Sequence, residues 1–213
     1  MQEPSLALDP RSTALLVIEC QNGLIHERNL GKRGIGGALA RAASERGLVA
    51  RAARVLEAAR AAGIRVLYLT MEGIPGFPRP DAPIYRKLGD STLLEAGTWS
   101  AEVHPDLAPQ SGDLKISRHL SEDPSHGSSL WPTLHALRIE TLVAFGVSTN
   151  FAVEGTVRAA VNRFHRVIVL EDCCASVPEE WHRFSAEKIL PMIATVTSSE
   201  KLIAALGAGS PPG

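Results

Sequence analysis

Residues 141–172 contain the pattern that most restricts the fold of this chain. The apolar run Thr141–Val147 has the branched and aromatic side chains that are typical of a buried strand. Residues 148–150, Ser-Thr-Asn, are of the types that commonly begin a helix. Apolar residues then recur at helical spacing from Phe151 onwards, until a second apolar run begins at 167–170. The pattern predicts two parallel strands joined by a helix in a right-handed crossover.

The turn that follows the first of these strands, residues 146–152, is where we expect the chemistry. In open α/β sheets, ligands bind outside the carboxyl ends of the strands. Two other predicted strands change abruptly from apolar to polar residues at that end. Thr13–Ile18 continues into Glu19, and residues 113–118 end on Arg118. We therefore expect Glu19, Arg118 and the turn to share one edge of the sheet.

The remaining periodic segments complete an α/β chain. Further strands are predicted at 64–70 and Thr195–Thr197, and helices at 38–62, 128–137, 178–192 and 198–206. The predicted fold is one three-layer, doubly wound α/β domain over residues 1–206, with a mostly parallel sheet of about six strands. Residues 207–213 are rich in Gly and Pro, which predicts a disordered tail.

The charge balance and the cysteines restrict the partners and the compartment. The chain has 22 Lys plus Arg against 23 Asp plus Glu, so no basic excess indicates binding to nucleic acid or to an anionic membrane. No apolar run reaches the length of about 18 residues that a membrane span needs, and the first residues do not resemble a signal peptide. Three cysteines without a CxxC motif favour a reducing compartment. These features predict a cytoplasmic protein that binds a small molecule.

Several other patterns bear on ligands. The Gly-rich segment 31–37 matches neither phosphate-loop spacing, and the seven histidines form no HxH or HExxH pair, so we predict no cofactor and no catalytic metal. The proline-rich connection after the second strand is long enough to be functional or to act as a lid. Within it, Trp99 either covers the site or packs the loop onto the core. His119 either reaches the pocket or is an ordinary surface histidine.

Motifs along nearly the whole chain carry a resemblance to a known family. The first strand runs into an acidic residue, Cys and Gln, and a Gly-Thr-Trp motif precedes a Pro-x-x-x-Asp strand. A Gly-led helix start is followed by Leu-Arg-Ile, and a Gly-Val-x-Thr-Asn turn follows later. These motifs lie at 19–21, 97–99, 109–113, 127–130 and 146–150. Together they make the chain similar to the isochorismatase-like cysteine hydrolases.

The resemblance implies a triad of Asp, Lys and Cys that attacks an amide or a similar carbonyl, and this chain departs from the triad at all three positions. Glu19 stands at the aspartate position, Arg118 at the lysine position and Ala152 at the position of the nucleophilic cysteine. A methyl group cannot attack a carbonyl, so thioester chemistry is not available at Ala152. Cys20 points to the opposite face of its strand from Glu19, and the adjacent pair Cys173 and Cys174 is better interpreted as small buried residues.

The resemblance also suggests a binding site and an assembly. We expect the remaining side chains near the turn and the strand ends to contact substrate, namely Gln21, Trp99, His119, Ser148, Thr149 and Phe151. We expect a homo-oligomer, a dimer or a tetramer, because relatives commonly self-associate. We further expect Glu19 and Arg118 to face one another, with the cation lowering the pKa of the carboxyl.

Three hypotheses for function remain open at this point. The first is a hydrolase of a C–N amide or ether bond without a covalent intermediate. In it Glu19 acts on water or substrate, Arg118 holds an anionic or carbonyl group, and backbone N–H groups around Phe151 and Ala152 form an oxyanion site. The second is a non-catalytic protein on the same fold that binds a small molecule or assembles with partners. The third is a flavodoxin-like or nucleotide-binding module, which depends on topology alone.

Overall fold

A single parallel sheet of six strands forms the centre of the computed structural model, which describes residues 6–86 and 92–208. The strand order is β3-β2-β1-β4-β5-β6, and every pairing is parallel. The strands are β1 (Thr13–Ile18), β2 (Arg65–Met71), β3 (Leu114–Arg118), β4 (Thr141–Val147), β5 (Arg166–Ala175) and β6 (Thr195–Thr197). The prediction of a doubly wound α/β fold with about six parallel strands is confirmed.

Helices cover both faces of the sheet. Because crossovers between parallel strands are right-handed, the helices between β1 and β2 lie on the face opposite to those between β3 and β5. The last helix packs against the third. The helices are α1 (Asn22–Ile25), α2 (Ile35–Glu45), α3 (Leu48–Ala61), α4 (Pro83–Arg86), α5 (Leu130–Ala136), α6 (Glu154–Val161), α7 (Glu179–Phe184) and α8 (Ser199–Ala208). In the described residues, no helix is long and apolar enough to cross a membrane.

The order of the strands places a topological switch point between β1 and β4. From β1 the chain winds outwards through β2 and β3, and from β4 it winds in the other direction through β5 to β6. All residues of β1 are buried, as expected for a strand covered on both faces. Ligands in such sheets bind at the carboxyl ends beside the switch point, which is where Glu19 and the turn after β4 lie.

A glycine allows β1 and β4 to approach closely at this edge. Gly146 pairs with Ile18 and has a φ of 136°, a conformation that side chains rarely adopt. A Cβ atom at this position would collide with the carbonyl oxygen of Ile18. The backbone conformation that leads into the turn after β4 therefore requires glycine.

The largest differences from the predicted bounds concern two helices, one strand and the tail. The helix expected at 38–62 is two helices, α2 and α3, separated at Gly47, which has a φ of 60°. The strand that begins near 167 continues to Ala175, and the helix expected at 178–192 ends as an α-helix at Phe184 and continues as a π-helical and then a 3₁₀ turn. The predicted tail is wrong at its start, because 207 and 208 belong to α8, and its remaining residues lie outside the described part.

Candidate functional site

A buried ion pair between Glu19 and Arg118 lies at the carboxyl edge of the sheet. Glu19 follows β1 and is 5% exposed, while Arg118 ends β3 and is 3% exposed. An Nη2 hydrogen of Arg118 bonds to Oε1 of Glu19, so the guanidinium and the carboxylate are in direct contact as expected. Arg118 is held in place by Ser121, since Nε donates to Oγ at 3.0 Å and Nη2 donates to the carbonyl oxygen at 2.8 Å.

Glu19 itself has an unusual backbone conformation. Its φ of 51° lies in the left-handed region, which costs a residue other than glycine on the order of 1–3 kcal/mol. The Glu19 N–H donates to the carbonyl oxygen of Leu69 at 2.9 Å, so this conformation is anchored to β2. Strained residues of this kind occur where the surrounding structure requires one side-chain direction, and here the direction is towards Arg118.

Burial changes the electrostatics that the sequence predicted for Glu19. Desolvation raises the pKa of its carboxyl, Arg118 lowers it by charge and by hydrogen bonding, and Glu122 raises it again. The largest of these effects is desolvation, so the pKa lies above its ordinary value. The expectation that Arg118 would lower the net pKa is therefore wrong in direction, because the sequence does not reveal how completely the pair is buried.

Tyr85 and Glu122 belong to the same polar cluster, and the sequence analysis missed both. Tyr85 lies in α4 and is 5% exposed, and its hydroxyl makes no hydrogen bond of acceptable geometry within the described residues. Nη1 of Arg118 is likewise buried without a partner there. A buried donor without a partner costs about 1–3 kcal/mol. Burial raises the pKa of Tyr85 most, and the Glu122 carboxylate raises it further as an acceptor that faces the hydroxyl and as a negative charge. The charge of Glu19 adds to this effect, and the charge of Arg118 opposes it.

A cleft of about 1200 Å³ opens beside this cluster. Three residues expected to contact substrate line it, namely Trp99, Ser148 and Phe151, and Glu122 lines it as well. The position of Trp99 favours the interpretation in which the indole covers the site. The Gly-rich segment 31–37 forms part of another wall, including the exposed side chains of Lys32 and Arg33.

Three other residues expected to bind substrate make structural contacts instead. Gln21 is fully buried, and its amide donates to the carbonyl oxygens of Met71 at 2.9 Å and Ala101 at 2.7 Å and accepts from the Met71 N–H at 2.9 Å. The Thr149 hydroxyl lies 2.8 Å from Nδ1 of His182. We therefore revise the expectation for Gln21 and Thr149, because their side-chain polar atoms are already paired.

His119 is the third of these residues. Its Nδ1 accepts from the Ile74 N–H at 3.0 Å, and its Nε2 lies 3.1 Å from the carbonyl oxygen of Pro78. Its ring also meets the ring of Phe77 edge to face. The imidazole thus holds the connection after β2 in place, so its expected role in substrate binding is revised as well.

The turn after β4 places Ala152 in a single π-helical turn, Thr149–Val153, that leads into α6. Ala152 is 3% exposed, and its carbonyl oxygen accepts from the Thr156 hydroxyl at 2.7 Å. The Phe151 N–H donates to the carbonyl oxygen of Ser148 at 3.2 Å. This bond removes Phe151 from the expected oxyanion site, because its N–H is already used within the turn.

The three cysteines are free, buried thiols. Burial raises the pKa of Cys20, Cys173 and Cys174, to about 12 for Cys174. The Cys20 thiol points back to the carbonyl oxygen of Ile18, and the Cys174 thiol donates to that of Leu170 at 3.2 Å. A thiol acts as a nucleophile through its thiolate, so these environments suit packing better than catalysis.

One group of side chains in the described residues has the composition of a metal site, namely His26, Glu27 and His104. Nδ1 of His26 accepts from the Arg28 N–H at 3.1 Å, and Nδ1 of His104 accepts from the Asp106 N–H at 3.2 Å. These bonds assign the proton to Nε2 in each neutral ring, and the His104 Nε2 lies 3.2 Å from Glu27. The group is explained by two helical caps and a hydrogen bond from His104 to Glu27, and the absence of a catalytic metal stays a prediction.

Comparisons with known proteins agree on one family. The family model described as Isochorismatase domain matches residues 13–201. The chain is 30% identical to ureidoacrylate amidohydrolase RutB of Methylobacterium radiotolerans, over 96% of this chain and 83% of that protein. The fold is similar to a cysteine hydrolase from Pseudomonas syringae pv. phaseolicola, with a TM-score of 0.80, 25% identity and coverage of 99% and 100%. It is also similar to N-carbamoylsarcosine amidase from Thermoplasma acidophilum, with a TM-score of 0.69, 27% identity and coverage of 89% and 97%.

Proposed function

The chain belongs to the isochorismatase family of hydrolases, and from this we propose that it hydrolyses an amide-type C–N bond of a small molecule without a covalent enzyme intermediate. The observation that carries the proposal is the buried contact between Glu19, which lies beside the switch point, and Arg118 from the end of β3. Two of the relatives compared above are named for the hydrolysis of compounds that carry a carbamoylated nitrogen. The sizeable cleft beside the pair supports a small-molecule substrate.

In this mechanism Glu19 is the general base. Its carboxylate removes a proton from water as the water oxygen bonds to the carbonyl carbon of the substrate. The C–N bond then breaks while Glu19 returns the proton to the leaving nitrogen, so the products are an acid and an amine. A base whose pKa is raised towards neutral accepts a proton more readily, and burial has that effect on Glu19. Arg118 stabilises the negative charge that develops on the carbonyl oxygen.

Two observations favour water over a side chain as the nucleophile. Ala152 stands at the position that the family's cysteine would occupy, and a methyl group has no nucleophilic atom. The native thiols are buried, and their raised pKa values disfavour the thiolate. Hydrolysis of an ether bond is the variant of this proposal in which Glu19 gives a proton instead, and a raised pKa would suit that role too.

A panel assay tests the proposal. Ureido and carbamoyl acids, simple amides and enol ethers would be incubated with the protein, and the release of ammonia, amine or carbonyl product would be measured. Turnover of a C–N substrate is expected to be lost in Glu19→Gln, since the amide keeps the shape but cannot accept a proton. Asp113→Asn is the matched control, because this carboxylate is also paired with an arginine, Arg60, at 2.6 Å, but at the opposite end of β3. Equal turnover in Glu19→Gln and the wild type would contradict the mechanism.

A non-catalytic role is the second candidate. It is favoured by the same absence of a nucleophile at Ala152, because a buried ion pair can be a structural feature as well as a catalytic one. In that case a member of the panel would raise the melting temperature without being converted. The family match gives no support to the nucleotide-binding hypothesis. A cytoplasmic location and a homo-oligomer, dimer or tetramer, stay predictions.

A further inference from the structure

Two buried donors lie in the polar cluster at the carboxyl edge of the sheet, and within residues 6–86 and 92–208 neither makes a hydrogen bond of acceptable geometry. They are the Tyr85 hydroxyl and Nη1 of Arg118, and both belong to side chains that are more than nine-tenths buried. The Tyr85 hydroxyl is close enough to Glu122, Glu19 and Arg118 for their charges to affect it. An oxygen atom of a ligand that accepted from both donors would satisfy them together.

The cluster borders the cleft through Glu122, while Glu19, Tyr85 and Arg118 are buried behind the cleft wall. Residues 82–84, which lead into Tyr85 and include the start of α4 at Pro83, line the cleft. Glu122 lines it from another segment, four residues after Arg118. A group that enters the cleft therefore approaches the cluster between α4 and the loop after β3.

The charges of the cluster select the chemistry of that group. Glu19 and Glu122 supply two carboxylates against the single guanidinium of Arg118, so a carboxylate ligand would add a third negative charge. A neutral carbamoyl group fits better, because its carbonyl oxygen accepts hydrogen bonds and its amide nitrogen donates them. The carboxylate of Glu122 is an acceptor at the cleft wall that such a nitrogen can reach.

We propose that Tyr85 is a substrate-binding residue, whose hydroxyl and Nη1 of Arg118 together bind the carbonyl oxygen of a neutral carbamoyl group while Glu122 accepts from its N–H. This inference rests on the proposed function and deepens it, since it names the group that is bound next to Glu19. It assigns the discrimination between a carbamoyl group and a carboxylate to Tyr85 and Glu122. Burial and the charge of Glu122 raise the pKa of Tyr85, which keeps the hydroxyl protonated as a donor over the neutral range.

Binding measurements with three probes of similar shape test the inference. The probes are 3-ureidopropionate, glutaramate and glutarate, of which the first two end in a carbamoyl group and the third ends in a second carboxylate. Affinities would be measured by calorimetry at millimolar concentrations, independently of turnover. We expect the wild type to bind the two carbamoyl probes and to bind glutarate at least tenfold more weakly.

Two variants separate the contributions. Tyr85→Phe removes only the hydroxyl. It is expected to lower the affinity for both carbamoyl probes about tenfold, as the loss of a hydrogen bond to a buried acceptor does. Glu122→Gln removes the carboxylate charge. It is expected to reduce or reverse the difference in affinity between the carbamoyl probes and glutarate. Tyr68→Phe is the matched control, because its hydroxyl donates to the Leu107 carbonyl oxygen at 2.8 Å in the core, so its loss should not change probe preference.

The outcomes distinguish this inference from the proposed function. If the wild type hydrolyses a C–N substrate but Tyr85→Phe and Glu122→Gln leave the affinities unchanged, the inference is overturned and the function stands. If no turnover is found but the two variants change carbamoyl binding as expected, the inference is supported and the catalytic proposal fails. Preference of the wild type for glutarate, or binding of none of the three probes, also overturns the inference.

Discussion

The side-chain amide of Gln21 pairs with the backbone of Met71 through two hydrogen bonds, both of 2.9 Å. This amide occupies the place of a peptide group and extends the pairing of β1 with β2 beyond the end of β1. A third bond of 2.7 Å to the Ala101 carbonyl oxygen joins the connection after β2 to the same point. These three hydrogen bonds, called the clamp below, are made by a residue two positions after Glu19. They fix the chain next to the strained backbone of Glu19.

Replacing Gln21 by Ala is expected to lower the free energy of unfolding by about 3 kcal/mol. The change leaves the Met71 N–H and two carbonyl oxygens buried without partners, and each such group costs about 1–3 kcal/mol. Urea unfolding followed by circular dichroism measures the effect. Gln110→Ala, at an exposed position, is the control and should stay within about 0.5 kcal/mol of the wild type. Equal stability of the two variants would show that the clamp does not hold this edge.

The stability of the protein should depend on pH through Glu19. Because burial raises the folded-state pKa of this carboxyl, its contribution is fully present below the unfolded value of about 4.3 and is lost as the pH rises through the folded value. Glu19→Gln removes the titration. Relative to the wild type, Glu19→Gln should therefore gain unfolding free energy as the pH rises above about 4.3. If the wild type gains stability over the variant with rising pH instead, Arg118 lowers the pKa of Glu19 by more than burial raises it.

Ala152→Cys tests whether residue 152 occupies the nucleophile position. The thiol would lie in the first turns after β4, where the helix dipole and Arg118 at the same sheet edge favour a thiolate, so we expect its pKa to fall below about 8.5. Thiolate absorbance against pH is a better readout than labelling, since residue 152 is only 3% exposed. The native thiols form a matched background, because burial raises their pKa values. A transition at about 8.5 or above would contradict the assignment.

Arg33 should contribute to the binding of substrates that carry a carboxylate away from the reacting group. Its exposed side chain lies on the cleft wall with that of Lys32, and cations at such a position attract anions over about 8–10 Å at moderate salt. Arg33→Ala is expected to raise KM several-fold for 3-ureidopropionate but not for urea, and the effect should shrink with added salt. Arg65→Ala, exposed at the amino end of β2, is the control. An equal change for both substrates would argue against a charge effect.

The sequence was sufficient for the sheet but not for the whole site. Continuous apolar runs predicted β1 and β4, and the polar residues after them predicted the edge at which Glu19 and Arg118 meet. Tyr85 could not be found in this way, because it lies in an irregular segment without periodicity. The direction of the Glu19 pKa depends on burial, which results from the packing of several segments that are distant in sequence.

The structural contacts of Gln21 and His119 could not be predicted for a related reason. Gln21 and His119 are polar residues at strand ends, and such residues are the usual candidates for binding a ligand. Their partners are backbone groups of Met71, Ala101, Ile74 and Pro78, which any sequence supplies. Only the folded arrangement shows that these amide and imidazole groups are used to hold the connection after β2.

The central position of β1 has a consequence for the order in which the protein is made. β1 is paired on one side by β2 but on the other by β4, which begins at Thr141. At a synthesis rate of about 5–20 residues per second, the ribosome needs on the order of ten seconds between the end of β1 and the end of β4. During that time the backbone edge of β1 that later pairs with β4 is open to other chains or to a chaperone. A nascent chain arrested at residue 140 should therefore be cleaved by protease near β1, whereas the finished protein is protected there.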